Sequence, residues 1–454
     1  TENCHHGIAK VSQMNLGDIK KALLEGGVVG AGGAGFPTYA KLSDQAETII
    51  LNAAECEPLI KVDRQLLVEY TNEICAGMQM LTEAMGAKEG VIAVKKSYTA
   101  SIEAINSCIS QYDKVRVHIL PDIYPAGDEV ITIYEVTGKV VAQGQIPITQ
   151  GCVVVNVETV LNIYKKVTSG ENVTSKFLTV AGLVKNPVTL HVPVGISVKD
   201  AVTLAGGTTT DDFVMIMGGP MTGRICGMND IITKTTKAIL VLPPSCPPVE
   251  KRQRTNKLDI RNAMSVCSQC SMCTMLCPRN LIGQAIKPHE FMRAIANGTT
   301  YDVDPFLNSF FCVSCGLCEM YSCHQDLSPR RLLDAYKGAL RAKGVKPPVR
   351  EMKPVNSLRQ ERRVPEHRLV NRLGLHHFDV PAPMQPYNDN FKEVKLVMRQ
   401  NLGAPCSPIV KVGDVVTVGQ PIACPPEGAL GTSIHASING TVAAVTENFV
   451  TIKA

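Results

Sequence analysis

Eight of the 17 cysteines stand in two tight runs, whose spacing is the clearest chemical feature of the sequence. The first run is Cys267-x2-Cys270-x2-Cys273-x3-Cys277-Pro278, and the second is Cys312-x2-Cys315-x2-Cys318-x4-Cys323. Three thiolates separated by two residues each can surround one face of an iron–sulfur cubane. Zinc is the alternative, but zinc sites usually combine two CxxC pairs rather than three cysteines in a row. The runs therefore predict two [4Fe–4S] clusters.

The fourth cysteine of each run is expected to cross to the other cluster, as in two-cluster ferredoxins. One cluster would then be held by Cys267, Cys270, Cys273 and Cys323, and the other by Cys277, Cys312, Cys315 and Cys318. This exchange would place the clusters close together. The second run has one extra residue before its last cysteine and His324 where proline is usual, so Cys323 is the ligand with the least support. The nine scattered cysteines are expected to be small buried side chains.

A glycine-rich segment near the amino end, GAGGAGFPTYAKL from Gly30 to Leu42, is the second chemical feature. Glycines let backbone N–H groups approach a phosphate, and a following helix start adds partial positive charge. Lys41 can add a full positive charge. The segment fits neither the P-loop pattern nor a Rossmann GxGxxG after a strand. Taken alone, it is compatible with a plain turn or with a phosphate site.

The segment Gly-Gly-Ala-Gly-Phe-Pro-Thr from Gly32 to Thr38, with Lys41 after it, resembles the flavin-binding signature of the NADH-oxidising subunit of complex I and of the RnfC family. Three more segments match motifs of that family in the same order: Asn52-Ala-Ala-Glu55-Cys-Glu57-Pro58, Tyr124-Pro-Ala-Gly127-Asp128-Glu129 and Asn156-Val-Glu158-Thr159. The resemblance implies bound FMN with NADH as the electron donor.

The resemblance also implies roles for individual residues. The FMN phosphate would lie against Gly30, Gly32, Gly33, Gly35 and Lys41, and the rest of the flavin against Asn52, Glu55, Gly127, Asn156 and Thr159. The NADH side would hold Phe36 and three candidate catalytic acids, Glu57, Asp128 and Glu129. Simpler alternatives stay open, because Asn156 and Thr159 could only cap a helix and Glu57 could be a surface acid. Ala31 and Tyr39 depart from the complex I pattern, which favours RnfC and weakens the carry-over of the NADH contacts.

Several domains must carry these motifs, because 454 residues correspond to roughly three domains of about 150 residues. The predicted fold class is multidomain α/β. We expect a Rossmann-like FMN/NADH-binding domain over 1–170, an SLBB-type β-grasp domain over 171–245, a helical ferredoxin-like module with two clusters over 255–345, and an all-β barrel-sandwich domain over 370–454. Val241 to Lys257, rich in proline and then in charge, is expected to be a linker, and so is Val345 to Val364.

Short elements are predicted around the motifs from apolar periodicity and stop signals. They are a helix over Met14–Gly27, a strand over Thr48–Leu51, and helices over Lys287–Gly298 and Leu327–Gly344. Ser328 is the expected N-cap of the last helix, with Pro329 at its first position. Phe177 to Gly207 is expected to form strand, turn, strand and helix.

Composition excludes other classes of protein. A net charge of +5 without a clustered basic run, and an aromatic content of 5%, disfavour nucleic acid as a partner. No apolar run reaches the ~18 residues of a transmembrane segment. The amino end TENCHHGIAK lacks the apolar region of a signal peptide, so we expect a cytoplasmic protein.

The order of the domains narrows the resemblance. In RnfC the barrel-sandwich domain precedes the flavin segment, whereas here IHASINGTV and its neighbours stand near the carboxyl end. This permuted order resembles that of the cobalamin reductases of propanediol-utilisation microcompartments. That likeness implies reduction of cob(III)alamin to cob(II)alamin and cob(I)alamin for adenosylcobalamin recycling, a cobalamin adenosyltransferase and a shell protein as partners, and a microcompartment location. The alternative is an RnfC-like subunit that passes electrons to a ferredoxin or a flavoprotein.

Overall fold

The computed structural model describes residues 14–299 and 301–454. The segment TENCHHGIAK lies outside the described residues, so the expectation about its lack of a signal peptide is not addressed. Within the two described ranges, no helix combines the length and the apolar character that crossing a membrane would require.

The amino-terminal part is built on a parallel sheet. The strands of this part of the chain are β1 (Thr48–Ala53), β2 (Glu89–Lys95), β3 (Val115–Leu120), β4 (Ile123–Tyr124) and β5 (Cys152–Asn156). Four of them form the sheet in the order β3-β2-β1-β5, while β4 pairs elsewhere. The helices are Leu16–Glu25, Val62–Glu69, Thr71–Ala84, Thr99–Cys108, Glu129–Thr137 and Val157–Ser169. Ile49 and Ile50 lie in different apolar clusters, because successive side chains of a strand point to opposite faces of a sheet that is covered on both sides.

The second sheet is mixed and has six strands. In chain order they begin with β6 (Ser175–Gly182), β7 (Val188–Pro193), β8 (Val214–Met217), β9 (Arg224–Cys226) and β10 (Ala238–Leu242). The helix Val198–Leu204 follows β7 and begins with a capping box between Ser197 and Asp200. Strand β11 (Val364–Pro365) pairs with β4, and β12 (Met384–Tyr387) completes the second sheet, whose order is β12-β7-β6-β10-β8-β9.

One part of the expected linker over Val241–Lys257 is wrong, because Pro247–Gln253 forms a helix. Proline is favourable at the first position of a helix, where its missing N–H would have no partner. The helix buries Pro248 and Val249, so packing holds in place a segment whose composition indicated a linker.

A helical module holds both cysteine runs. Its helices are Asn256–Val266, Met272–Met275, Pro278–Leu281, Pro288–Ala296, Asp304–Leu307, Leu317–Met320 and Pro329–Ala342, and Glu366–Arg372 follows later in the chain. The two longer helices predicted here are confirmed. Ser328 stands at the expected N-cap position, but its hydroxyl donates to Asp259 (3.0 Å) and makes no capping hydrogen bond.

The carboxyl-terminal part is all-β. It contains β13 (Glu393–Val397), β14 (Ser407–Pro408), β15 (Val415–Val416), β16 (Pro421–Cys424), β17 (Ile434–His435), β18 (Gly440–Val445) and β19 (Phe449–Lys453). They form two sheets, in the orders β13-β19-β18-β15 and β14-β16-β17. Their buried residues, such as Ile422 and Ile452, share one apolar cluster with Leu190 of the second sheet and Val202 of the helix Val198–Leu204. This shared core fixes the carboxyl-terminal part against the β-grasp region.

Candidate functional site

A cavity of about 770 Å³ lies between the glycine-rich loop, the ends of β1 and β5, and loops of the second sheet. This volume falls within the roughly 300–1,000 Å³ of small-molecule sites. The sequence-predicted residues that line it are Gly30, Gly32, Gly33, Phe36, Lys41, Asn52, Glu55, Glu57, Gly127, Glu129, Asn156 and Thr159. Gly35 and Asp128 are not among its lining residues. Twelve of the fourteen flavin-side residues are therefore brought to one cavity.

The two asparagines meet because of the strand register. Asn52 and Asn156 are direct partners at the carboxyl ends of the parallel strands β1 and β5. Ligands of open α/β sheets bind at this edge. Asn52 Nδ2 donates to the carbonyl of Gly127 (2.8 Å), which ties the second motif segment to the third.

The glycine loop has the chemistry of a phosphate cradle. Within the described ranges, no hydrogen bond uses the backbone N–H of Gly32, Gly33 or Ala34. Gly33 has a φ of +124°, and a Cβ there would meet no atom within 4 Å, so the loop is open on that side. The Thr38 hydroxyl is buried in the cavity wall and also lacks a partner among the described residues. These donors fit the phosphate end of FMN.

Lys41 stands at the rim of the cavity. Its ammonium donates to Glu129 Oε1 (2.5 Å) and to the carbonyl of Val154 (2.8 Å). The Lys41 and Glu129 side chains are 33% and 35% exposed. The lysine therefore contacts the third motif segment and lies where an incoming phosphate would compete with a carboxylate.

Asn156 and Thr159 do more than cap a helix. Asn156 Oδ1 accepts from the N–H of Glu158 (3.1 Å) and so caps Val157–Ser169, but its Nδ2 also donates to Asp63 Oδ2 (2.9 Å). Thr159 Oγ1 accepts from the N–H of Ala31 (3.0 Å) and holds the glycine loop against this helix. Both residues also line the cavity.

The Tyr124–Glu129 segment also reaches the cysteine module. The Tyr124 hydroxyl donates to the carbonyl of Cys315 (2.6 Å). Asp128 caps the helix Glu129–Thr137, and its Oδ2 pairs with Arg279 (3.0 Å), two residues after Cys277. One segment therefore contacts both the flavin-side cavity and the second cysteine run.

The structure brings one cysteine of the first run to the second run. A small second cavity is lined by Cys277 together with Cys312, Cys315 and Cys318. Burial raises the pKa of Cys273 to about 12, and the neighbouring thiols that add to this shift are led by Cys323. In the described ranges, no three His, Cys, Asp or Glu side chains converge on a single metal ion, so the ligand assignment remains a prediction.

Both runs share an unusual backbone. The residues flanking the middle cysteine have positive φ in each run, namely Gln269 and Ser271 in the first and Ser314 and Gly316 in the second. Left-handed backbone costs a residue other than glycine about 1–2 kcal/mol, and such strain concentrates at functional sites. The N–H of Ser314 donates to the sulfur of Cys312 (3.4 Å). Hydrogen bonds to cysteine sulfur are one means by which a protein tunes a cluster.

Four family models match the chain in succession: the Nuo51 FMN-binding domain over residues 23–165, the SLBB domain over 177–225, the 4Fe-4S dicluster domain over 266–328 and the RnfC barrel sandwich hybrid domain over 383–454. Cobalamin reductase PduS of Salmonella typhimurium strain LT2 is 42% identical over 440 residues, which cover 97% of each chain. The chain belongs to the PduS family. The PduS of Citrobacter freundii is 40% identical over 435 residues, or 96% of each chain.

The PduS family lies within the group that the motifs indicated. One protein of the Na⁺-translocating ferredoxin:NAD⁺ oxidoreductase complex of Acetobacterium woodii is 31% identical over 277 residues, which are 60% of each chain. The predicted kinship with RnfC and the complex I protein, the multidomain α/β fold class, and FMN with [4Fe–4S] clusters as cofactors are confirmed. The exact domain boundaries and site residues stay predictions.

Glu57 of this PduS family member has a contact that its sequence did not suggest. Its carboxylate accepts from the N–H of Met221 (2.9 Å) and from the hydroxyl of Thr222 (2.5 Å), both in a loop of the second sheet. A Cβ on Gly219 would overlap Glu57 Oε2, so only glycine permits this approach. Burial raises the pKa of Glu57. Glu57 is therefore no free surface acid, because it joins the two sheets beside the cavity.

Sequence reasoning missed a set of buried charges under the cavity. Asp63, which lines the cavity, pairs with Lys237, the residue directly before β10, and the N–H of Asp63 donates to Glu55 Oε1 (2.7 Å). Burial, followed by the charge of Asp63, raises the pKa of Glu55. Burial acts to lower the pKa of Lys237, but nearby carboxylates, Asp63 first, outweigh it and raise that pKa. The only signal in the sequence was a lysine directly before the apolar strand AILVL.

Proposed function

We propose that this protein is an NADH-dependent cobalamin reductase that converts cob(III)alamin to cob(II)alamin and cob(I)alamin. The observation that carries the proposal is the dual contact of the Tyr124–Glu129 segment with the flavin-side cavity and with the second cysteine run. The contact supports an arrangement in which a two-electron carrier in the cavity would lie beside one-electron carriers at the cysteines. The identity to two proteins named cobalamin reductase PduS supports a corrinoid as the acceptor.

The chain's own residues would hold and orient the flavin. The free N–H groups of Gly32, Gly33 and Ala34 would bind the phosphate, with Lys41 adding positive charge. Asn52 would fix the flavin edge at the end of its strand. FMN, when bound, supplies the exchange between a hydride and single electrons, which neither NADH nor iron–sulfur clusters can perform alone.

The NADH side of the cavity involves other residues. Phe36 and Glu57 line it, and we assign them to the nicotinamide side. Glu129, which the sequence also suggested for that side, pairs with Lys41 and would lie beside the phosphate. Asp128 would act indirectly, since its carboxylate holds Arg279 and the start of a helix. Per NADH, two corrinoids would each gain one electron in the first reduction, and one proton would be released with NAD⁺.

Partners and location belong to the same proposal. A cobalamin adenosyltransferase would consume the reduced corrinoid, and a shell protein would bind the enzyme in a bacterial microcompartment. Kinship with PduS supports both. Copurification of the adenosyltransferase with the tagged protein, tested against a tagged unrelated flavoprotein, would check the first partner.

The test is anaerobic oxidation of NADH by the purified, reconstituted protein with hydroxocobalamin as acceptor. Appearance of the cob(II)alamin spectrum in step with NADH loss supports the proposal. Substitution of Asn52 by alanine should abolish NADH oxidation while sparing cluster absorbance, because Asn52 lies at the flavin site and not at the cysteines. Intact flavin and clusters without corrinoid reduction would contradict the proposal.

A ferredoxin or flavoprotein acceptor is the second candidate. It is favoured by the 31% identity to a protein of a ferredoxin:NAD⁺ oxidoreductase complex. Parallel assays with ferredoxin and with hydroxocobalamin, at equal NADH, separate the two by their relative rates.

A further inference from the structure

The two predicted cluster sites differ in their surroundings. We call the set Cys277, Cys312, Cys315 and Cys318 the inner site, and the set Cys267, Cys270, Cys273 and Cys323 the outer site. The inner set lines a small cavity, and Cys318 within it is buried. In the outer set Cys270 is exposed.

The inner site contacts the wall of the flavin-side cavity by two routes. In the first, the Tyr124 hydroxyl donates to the carbonyl of Cys315 (2.6 Å), and Tyr124 begins the segment that ends at the cavity residue Glu129. In the second route, Gly316 lies against Met221. A Cβ added at Gly316 would be 3.4 Å from both the Cε and the carbonyl oxygen of Met221. The N–H of Met221 donates to Glu57, which lines the cavity.

Packing places the inner site within the core of the flavin-binding part. Leu317 and Met320, which flank Cys318, belong to the same buried apolar cluster as Leu51 and Val155 of the parallel sheet. Electron tunnelling falls steeply with distance, so a carrier at the inner site is the one placed to exchange electrons with a flavin in the cavity.

The outer site faces solvent. Ser268, Gln269 and Cys270 are exposed in succession in its loop, and Met264 and Val266, just before the loop, are 64% and 46% exposed. Beside Cys323, the residue His324 is exposed too. A molecule in solution can therefore approach this site closely, whereas no cysteine of the inner site is exposed.

We propose that electrons pass from the flavin-side cavity to the inner site, then to the outer site, and leave the protein at the exposed face formed by Ser268, Gln269 and Cys270. This order rests on the proposed function. The hydride of one NADH brings two electrons, which leave one at a time at this face, so two molecules of a one-electron acceptor are reduced by one electron each. NAD⁺ and one proton are the other products.

The test compares two matched double variants, each lacking two ligands of one site. Cys312→Ala/Cys315→Ala removes the inner site, and Cys267→Ala/Cys270→Ala removes the outer site. Electron paramagnetic resonance spectra are recorded anaerobically after addition of NADH and, separately, after dithionite. Dithionite reaches an exposed cluster from solution, so in the variant that lacks the inner site it reports whether the remaining outer cluster is intact.

The expected results are asymmetric. Without the inner site, the remaining cluster should be reduced by dithionite but not by NADH. Without the outer site, the remaining cluster should be reduced by NADH as in the wild type, while hydroxocobalamin reduction is lost. If NADH reduces the remaining cluster of the inner-site variant as fast as in the wild type, the proposed order is wrong.

A measurement on the wild type covers the case in which a double variant loses both clusters. A soluble paramagnetic dysprosium chelate should speed the relaxation of one cluster signal much more than the other. Equal effects on both signals would overturn the order. A wild-type protein whose flavin and clusters are not reduced by NADH would instead contradict the proposed function, so the two failures are distinguishable.

Discussion

Replacement of Lys41 by methionine tests whether the glycine loop is a phosphate site. Methionine keeps much of the apolar stem and removes the ammonium, which now donates to Glu129 (2.5 Å) and to the Val154 carbonyl (2.8 Å). If Lys41 binds the FMN phosphate, the variant loses a hydrogen bond between charged groups.

The size of the effect follows from the type of contact. A hydrogen bond to a charged group contributes about 1.5–3 kcal/mol. Since about 1.4 kcal/mol is a factor of ten, FMN affinity should fall roughly 10- to 150-fold in the Lys41→Met variant. Glu129 competes for the same ammonium, and its partly exposed pair with Lys41 is worth about 0–1 kcal/mol. Glu129→Gln should therefore strengthen FMN binding by up to about 5-fold.

The assay is quenching of flavin fluorescence when the flavin-free protein is titrated with FMN or with riboflavin. Riboflavin lacks the phosphate, so its affinity should change little in Lys41→Met. Riboflavin thus controls for general damage to the cavity.

Two results would refute this reasoning. Equal losses for FMN and riboflavin in Lys41→Met would mean that Lys41 supports the cavity wall rather than the phosphate. Weaker FMN binding in Glu129→Gln would show that the ion pair itself is needed for the site.

Three further predictions concern stability and are checked by thermal unfolding. Gly35→Ala should destabilise the protein by more than the ~1–2 kcal/mol of left-handed backbone, because its φ is +66° and its Cβ would lie 2.8 Å from Thr235 Cγ2. Thr235→Ser in the same chain should restore the steric part; no restoration would refute the contact. Glu57→Ala should lower the free energy of unfolding by about 1–3 kcal/mol, because it leaves the N–H of Met221 without its acceptor. Thr222→Val removes only one of the two donors to Glu57 and should lower the stability less. A larger loss in Thr222→Val than in Glu57→Ala would contradict this. Burial lowers the pKa of Lys234 to about 7 from 10.5. Between these pH values the unfolded chain binds more protons than the folded chain, so the stability should rise with pH, by at most ~1.4 kcal/mol per pH unit. Lys234→Met should flatten this rise, and an unchanged slope would exclude Lys234 as its source.

The cofactors and the family could be predicted from the sequence because their signals are local. Three of the four predicted ligands of a cluster stand within a few residues, as in Cys267 to Cys273, and a phosphate loop is indicated by consecutive glycines such as Gly32 and Gly33. The fixed order of four motif segments indicated the family, which no single segment could do. The two longer helices of the cysteine module also followed from local periodicity and stop signals.

Residue contacts across domains could not be predicted, because they depend on how distant segments pack. Glu57 meets Met221 across 164 positions, and Tyr124 meets Cys315 across 191. No spacing rule relates such residues. The charge pair of Asp63 and Lys237 likewise joins the helix Val62–Glu69 to the residue directly before β10.

The amino-acid sequence by itself determined which groups this protein can hold, since loops and cysteine runs carry their ligand geometry within a few residues. The tertiary structure alone decided how the predicted ligand residues are arranged. Only folding brings the parallel strands into the register that pairs Asn52 with Asn156, buries Cys318 in the core and leaves Cys270 in solvent. The physical reason is that burial and proximity belong to the packed chain and not to any one segment of it.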